Sequence, residues 1–233
     1  LVKIETTRLK RYEHFIFSDF NYHTIITEQD RDLIIHGENE RIQIVRNGVD
    51  HGGRRIKKKE KTFDILFTGN MSYPPNVNGV EYLATEIMPE VWKEMPDVTL
   101  KIVGATPAPR VQKLASEKIV VTGWVDDIRD YYNEARIFVA PMLIGTGLQN
   151  KLLEAMAMNL PCITSPLANN ALKAEENFSI LIGHDKEEFK EHILLLLRNN
   201  AKASEVAQNG SIFIKNQYNW ETTSIPLLDI IKN

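Results

Sequence analysis

Residues 145–154 read Gly-Thr-Gly-Leu-Gln-Asn-Lys-Leu-Leu-Glu, and an alanine- and methionine-rich stretch follows at 155–158. Glycine at 145 and 147 lets backbone N–H groups come close to a bound group, because no Cβ stands in the way. A short apolar run at 137–140, ended by Pro141, precedes them, so the glycines fall where a strand hands over to a helix. The N-terminus of that helix adds a positive dipole end, which suits an anion. Lys151 brings a full positive charge, and Glu154 brings an acceptor for hydroxyl groups. Such a set describes a ligand in which a phosphate is joined to a polyhydroxylated group, as in a nucleotide sugar. The competing reading is a glycine-rich turn with solvated polar residues, which is common at helix starts.

The surrounding pattern says what holds this loop. From residue 64 onward, strand-like and helix-like segments alternate, with strands expected at 64–68, 98–103, 118–121, 136–140, 161–165 and 178–182. Helices are expected at 76–94, 108–116, 127–134, 148–158, 168–174, 186–199 and 201–218. Near-continuous apolar strands alternating with helices imply a Rossmann-like α/β fold, a parallel sheet covered by helices on both faces. Ligands of such sheets bind outside the carboxyl ends of the strands, where the loops 69–75, 104–107, 122–126 and 141–147 lie. Upstream, 3–18 reads as a charged amphipathic helix, with short strands at 22–27 and 42–45. Thr27-Glu-Gln-Asp30 reads as a capping box that opens a helix through Ile35. Asp30 and Asp32 also fit a metal-binding Asp-x-Asp, but both fall in a helix's first turns, where the dipole favours acids, so capping is the better account. The basic run 54–61 between a turn and a strand reads as a solvated linker or a contact with an anionic membrane surface.

Composition narrows the classes. The chain has 233 residues, 43% hydrophobic and 25% charged, with a net charge of −3; this is ordinary for a globular protein and argues against bulk nucleic-acid binding. One cysteine, Cys162, excludes an internal disulfide and a cysteine zinc site, and its apolar setting marks it as structural. No apolar run reaches membrane-span length and nothing resembles a signal peptide, so the chain is cytoplasmic in character. The six histidines (14, 23, 36, 51, 184 and 192) show no metal-ligand spacing, and no Ser/His/Asp arrangement can be argued. The first residue is not methionine and lies inside the expected first helix, which reads as a fragment.

Residues 64–215 resemble the C-terminal, donor-binding half of retaining glycosyltransferases of the GT-B fold, specifically family 4 and its polysaccharide-biosynthesis subgroup. The segments that carry this, in order, are 64–71, 96–104, 119–127 (Ile-Val-Val-Thr-Gly-Trp-Val-Asp-Asp), 135–141 and 151–161 (Lys-Leu-Leu-Glu-Ala-Met-Ala-Met-Asn-Leu-Pro). The last resembles the second half of the family's Glu-x7-Glu signature, with Glu154 as the second glutamate. Two departures stand out. The first glutamate is replaced by Thr146, and the usual Arg and Lys after the domain's first strand are replaced by residues 69–75 (Gly-Asn-Met-Ser-Tyr-Pro-Pro).

The resemblance implies that Glu154 takes the ribose 2′- and 3′-hydroxyls, against the plain alternative of a first-turn glutamate favoured by the dipole. Gly145, Gly147 and Leu148 would give backbone donors to the phosphates and the donor sugar. Asn150 belongs to the same loop, and Lys151 would take over from the absent basic pair. Thr146 stands as either a weaker hydroxyl contact or an ordinary loop threonine. Gly69 and Asn70 would line the phosphate side, and Gly123, Trp124 and Val125 the base, unless Trp124 merely covers a core edge. Residues 1–61 would close an N-terminal acceptor domain and link it to a nucleotide-sugar domain at 62–233. Most of the acceptor domain would then lie outside this chain as a partner, and the unpaired strands at 22–27 and 42–45 would invite self-association. No metal or other cofactor is expected, since positive side chains and helix N-termini can stabilise a departing diphosphate. A sugar-nucleotide epimerase of the same fold and a non-catalytic nucleotide-sugar-binding subunit remain alternatives.

Overall fold

In a computed structural model of the chain, residues 2–50, 60–145 and 147–232 are described. Six strands form one parallel sheet: β3 (Phe63–Thr68), β4 (Leu100–Val103), β5 (Ile119–Val121), β6 (Ala135–Ala140), β7 (Cys162–Thr164) and β8 (Leu181–Ile182), in the order β5-β4-β3-β6-β7-β8. Ile65, Leu66, Phe67, Ile102, Ile137 and Phe138 are fully buried. The sheet is covered on both faces, which is why its strands carry apolar residues in runs rather than in alternation. Each such side chain contributes roughly 1.5–3 kcal/mol on burial. The Rossmann-like architecture is as the sequence implied.

The order of strands matters for function. From β3 the chain steps to β4 and β5 on one side, then returns to β6 against the other edge of β3 and continues outward to β7 and β8. The crevice between β3 and β6 is therefore the topological switch point, where the loops on either side diverge and leave room for a ligand. Residues 69–73 follow β3 there, and the glycine loop follows β6.

Several boundaries differ from the sequence expectation. Strands β4, β5, β7 and β8 are shorter at their N-terminal ends, because pairing begins only where neighbours are in register. The helix expected at 108–116 is one turn, α5 (Pro109–Gln112), after which i→i+3 turns take over at Leu114 and Ala115. The helix expected at 76–94 runs from Pro74 to Glu94 as α3 (Pro74–Tyr82), a π-type turn (Leu83–Ile87) and α4 (Met88–Glu94). Pro89 lacks the N–H that would bond Thr85, which accounts for the wider turn just before it. The remaining helices of this part are α6 (Ile128–Glu134), α7 (Asn150–Ala157), α8 (Pro166–Leu172), α9 (Lys186–Arg198) and α10 (Asn200–Gln217). Two helices that the sequence reading left out follow, α11 (Trp220–Thr223) and α12 (Ile225–Lys232).

The N-terminal segment holds α1 (Val2–Phe17), β1 (Thr24–Ile25), α2 (Glu28–Leu33) and β2 (Gln43–Ile44). The strands at 22–27 and 42–45 shrink to two residues each, and they pair in parallel with one another, Thr24 opposite Gln43. The capping reading of residues 27–30 holds: Thr27 is the N-cap of α2, and its hydroxyl accepts from the Asp30 N–H at 3.0 Å. The end of the chain returns to this segment. Val49 N–H donates to the Tyr218 carbonyl at 2.7 Å, and the Trp220 ring lies against Gly48. Of the basic run, residues 54–59 lie outside the described residues, as does His51. No described helix is long and apolar enough to cross a membrane.

Candidate functional site

Two adjoining cavities open at the switch point. One, of about 730 Å³, is lined by Gly69, Pro75, Asn76, Gly145, Gly147, Leu148, Asn150 and Lys151, with Asp30 at its N-terminal side. The other, of about 480 Å³, is lined by Trp124, Val125, Asp127, Arg129 and Tyr132, together with Gly48, Asp50 and Trp220. Glu154 lines both, so it stands on the ridge between them.

The glycine-to-helix transition supplies the first cavity's donors. Gly145 has φ +94°, a conformation that a side chain would strain. Gln149 precedes α7 without capping it. Its amide instead reaches back, the Nε2 group donating to the Gly147 carbonyl at 2.9 Å while Oε1 accepts from Lys151 Nζ at 3.1 Å. Lys151 also donates to Asn76 Oδ1 and lies over the Phe67 ring, 5.2 Å from its centroid. Its hydrogen-bond acceptors here are neutral. Burial holds its ammonium down, to a pKa of about 8, with Glu154 pulling it back upward. A buried ammonium that is offered only neutral partners favours an incoming anion.

Glu154 is fixed from below. The Tyr132 hydroxyl donates to Glu154 Oε2 at 2.9 Å and shares a 2.8 Å hydrogen bond with Thr68 Oγ1. Burial raises the Glu154 carboxyl above the usual carboxylate range, against the lowering effects of Tyr132 and Lys151. Tyr132 itself is pushed well above the usual phenol range by burial and by Glu154, so it stays a donor. Oε2 is thereby tied to the fold, while Oε1 receives no hydrogen bond from the described residues.

The structure thus brings Gly69, Gly145, Gly147, Leu148, Asn150, Lys151, Glu154, Trp124 and Val125 around one continuous cleft. Trp124 is 71% exposed and covers no core edge. Asn70 is placed differently: its Oδ1 accepts from the Ser72 amide and hydroxyl, at 3.0 and 2.8 Å, so the side chain shapes its own turn. The Gly123 carbonyl accepts from the Gly104 amide at 3.1 Å, which joins the loops after β4 and β5 rather than lining a cavity. Thr146 lies outside the described residues. Asn150 reaches across to the N-terminal segment, its Oδ1 accepting from Asn47 at 3.1 Å.

Sequence reasoning missed Tyr132, Asn76, Asp30 and the wall formed by Gly48, Asp50 and Trp220. Tyr132 reads as an ordinary apolar position of α6, and the others come from distant parts of the chain. Among the described residues, no group of three His, Cys, Asp or Glu side chains is placed to hold a metal ion. His23 and His36 do stack on Phe17, at 3.6 and 3.9 Å, and His14 lies against His36, but as a packed aromatic cluster.

A sequence model of the family described as "Glycosyl transferases group 1" matches residues 62–199. An uncharacterized 44.6 kDa protein in the cps region of Klebsiella pneumoniae is 26% identical over 164 residues, 66% of this chain and 42% of its own length. An uncharacterized glycosyltransferase of Methanocaldococcus jannaschii is 27% identical over 223 residues, 91% of this chain and 54% of that protein. The chain thus spans about half the length of these curated relatives. Among solved structures, Anabaena HepE in complex with UDP and glucose superposes with a TM-score of 0.73 at 12% identity, covering 91% of this chain and 63% of that one. The six-stranded parallel sheet flanked by helices is the fold of such GT-B glycosyltransferases.

Proposed function

Since the chain belongs to the glycosyl transferases group 1 family, we propose that its cleft binds a nucleoside-diphosphate sugar. In the whole protein, the sugar would pass to a hydroxyl acceptor with retention of configuration, as in family 4. The observation that carries this reading is the pairing of a buried, anion-seeking Lys151 with a Glu154 anchored on the ridge between the two cavities. A diphosphate fits beside Lys151 and the Gly145 and Gly147 amides, the ribose at Glu154, and the base in the cavity walled by Trp124 and Val125. As the sugar leaves, negative charge grows on the diphosphate. Lys151 and the N-terminus of α7 are the groups that would stabilise it, and no metal is invoked. The HepE complex with UDP and glucose and the relative from a cps region favour a sugar transfer of polysaccharide or glycoconjugate assembly.

Calorimetric titration with UDP, GDP, ADP and their sugars tests the reading directly. At least one diphosphate should bind, more tightly than its nucleoside, and the preference should weaken with salt as the charge pair is screened. Failure of every diphosphate to bind overturns it.

A further inference from the structure

The cavity that holds Lys151 is also lined by one acidic residue from the N-terminal segment, Asp30. We propose that Asp30 is a specificity residue for the donor sugar, accepting a hydrogen bond from a sugar hydroxyl; the inference rests on the nucleotide-sugar reading above. Asp30 is half-buried and lines the 730 Å³ cavity together with Gly145, Gly147 and Lys151. Its carboxylate faces the glycine loop: a methyl group added at Gly147 would lie 3.8 Å from Asp30 Oδ2. The Thr27 hydroxyl donates to Oδ2 at 2.7 Å and accepts from the Asp30 N–H at 3.0 Å, which fixes the carboxylate's orientation. Oδ1 receives no donor from the described residues, and so keeps its accepting capacity for something in the cavity.

Charge decides which part of the ligand that is. A phosphate is drawn toward Lys151 and repelled by Asp30, so within this cavity the diphosphate sits toward Lys151 and the neutral sugar toward Asp30. A sugar joined to the diphosphate carries hydroxyl donors, and a carboxylate is the strongest kind of acceptor for them. The base is assigned to the other cavity, beyond Glu154, which lines both. Asp30 thus gives one helix start two tasks, closing the first turn of α2 and reading the sugar.

The substitution Asp30→Asn separates these tasks, since an amide oxygen can still accept from Thr27 while the charge is gone. Asp32, exposed and paired with Arg31 at 3.4 Å, lies in the same helix outside the cavity and serves as the charge-matched control. Affinities for UDP and UDP-glucose, GDP and GDP-mannose, and ADP and ADP-glucose are measured on the unaltered chain and both variants. Asp30→Asn should weaken the sugar conjugate about tenfold and leave the bare diphosphate unchanged or slightly tighter, with Asp32→Asn silent. Equal losses for conjugate and diphosphate, or no loss for the conjugate, overturn the role of Asp30. If the unaltered chain binds none of the three diphosphates, the nucleotide-sugar reading falls first and this inference with it.

Discussion

Lys151 is held in the fold at some expense to stability, and that expense can be measured. Burial lowers its pKa from the ordinary lysine value to about 8, which corresponds to roughly 3 kcal/mol of penalty on the charged form at neutral pH. The sign follows from proton counting. Between about pH 8 and the ordinary lysine value the unfolded chain holds the proton that the folded chain has lost, so stability rises across that window. Lys151→Met removes the buried charge but leaves Asn76 and Gln149 without their donor, so a net gain of about 1 kcal/mol in denaturant melts is expected. The same variant should lose at least about tenfold in diphosphate affinity, the scale of one charge-assisted hydrogen bond. In the unaltered protein that affinity should fall as pH rises through about 8, because binding favours the protonated lysine. A flat titration curve across that range would exclude Lys151 from the phosphate site.

Glu154 is tested through its anchor as well as directly. Glu154→Gln should weaken nucleotide binding by about 1.5–3 kcal/mol, the range for a hydrogen bond to a charged group. Tyr132→Phe removes the hydroxyl that joins Thr68 to Glu154, leaving the Glu154 carboxylate short of a donor and the buried Thr68 hydroxyl short of an acceptor. Stability should then drop by about 1–3 kcal/mol. Ligands with a ribose should lose more affinity than 2′,3′-dideoxy analogues, because the carboxylate is no longer oriented. Equal losses for both sugars would make Tyr132 a purely structural residue.

Among the elements, the crossing of the loops after β3 and β4 leaves the least tolerance. Gly104 has φ +148°, and a methyl group added there would stand 1.8 Å from the Gly69 carbonyl oxygen. Backbone cannot give way as a side chain can, so Gly104→Ala should destabilise by about 4 kcal/mol or more. It should also displace Gly69 from the cleft; thermal melts and diphosphate titration of the same sample check both. A variant that melts within a few degrees of the parent would show that the two loops can part.

The glycine loop, Lys151 and Glu154 were legible in the sequence because they lie within ten consecutive residues whose local geometry is set by the strand-to-helix transition. The switch point was legible through the alternation of elements, which fixes the class of sheet. What could not be read came from tertiary pairing. Tyr132 meets Glu154 across 22 residues of sequence, and Asn76 meets Lys151 across 75. Asp30 reads from the sequence as part of the capping box opened by Thr27, and that sufficient local reason hides its exposure to the cavity. The helices α11 and α12 lie beyond the last expected element, and Pro226 stands in the first turn of α12, where its missing N–H is harmless.

At the scale of the whole molecule, the segment after β2 and the C-terminal helices converge on the cavity that Trp124 lines. Gly48 and Asp50 arrive from the N-terminal segment and Trp220 from α11, while Trp124 and Val125 come from the loop after β5. The joint is held by the Val49–Tyr218 backbone hydrogen bond and by the Trp220 ring against Gly48, with the Tyr218 hydroxyl tied to the Leu172 carbonyl at 2.7 Å. A ligand in this cavity would touch the sheet's loops and both of these segments at once, so binding should tighten the joint. At a ligand concentration of 100 times Kd, the apparent stability should rise by about 2.7 kcal/mol. Hydrogen exchange at the Val49 amide should slow with it. Trp220→Ala removes one side of the joint while leaving Lys151 and Glu154 in place. Exchange at Val49 should then be fast with or without ligand, and base-dependent affinity should fall while the diphosphate's preference over the nucleoside persists. Unchanged protection at Val49 in Trp220→Ala would show that the joint is held by Tyr218 alone, and that the base cavity does not need the end of the chain.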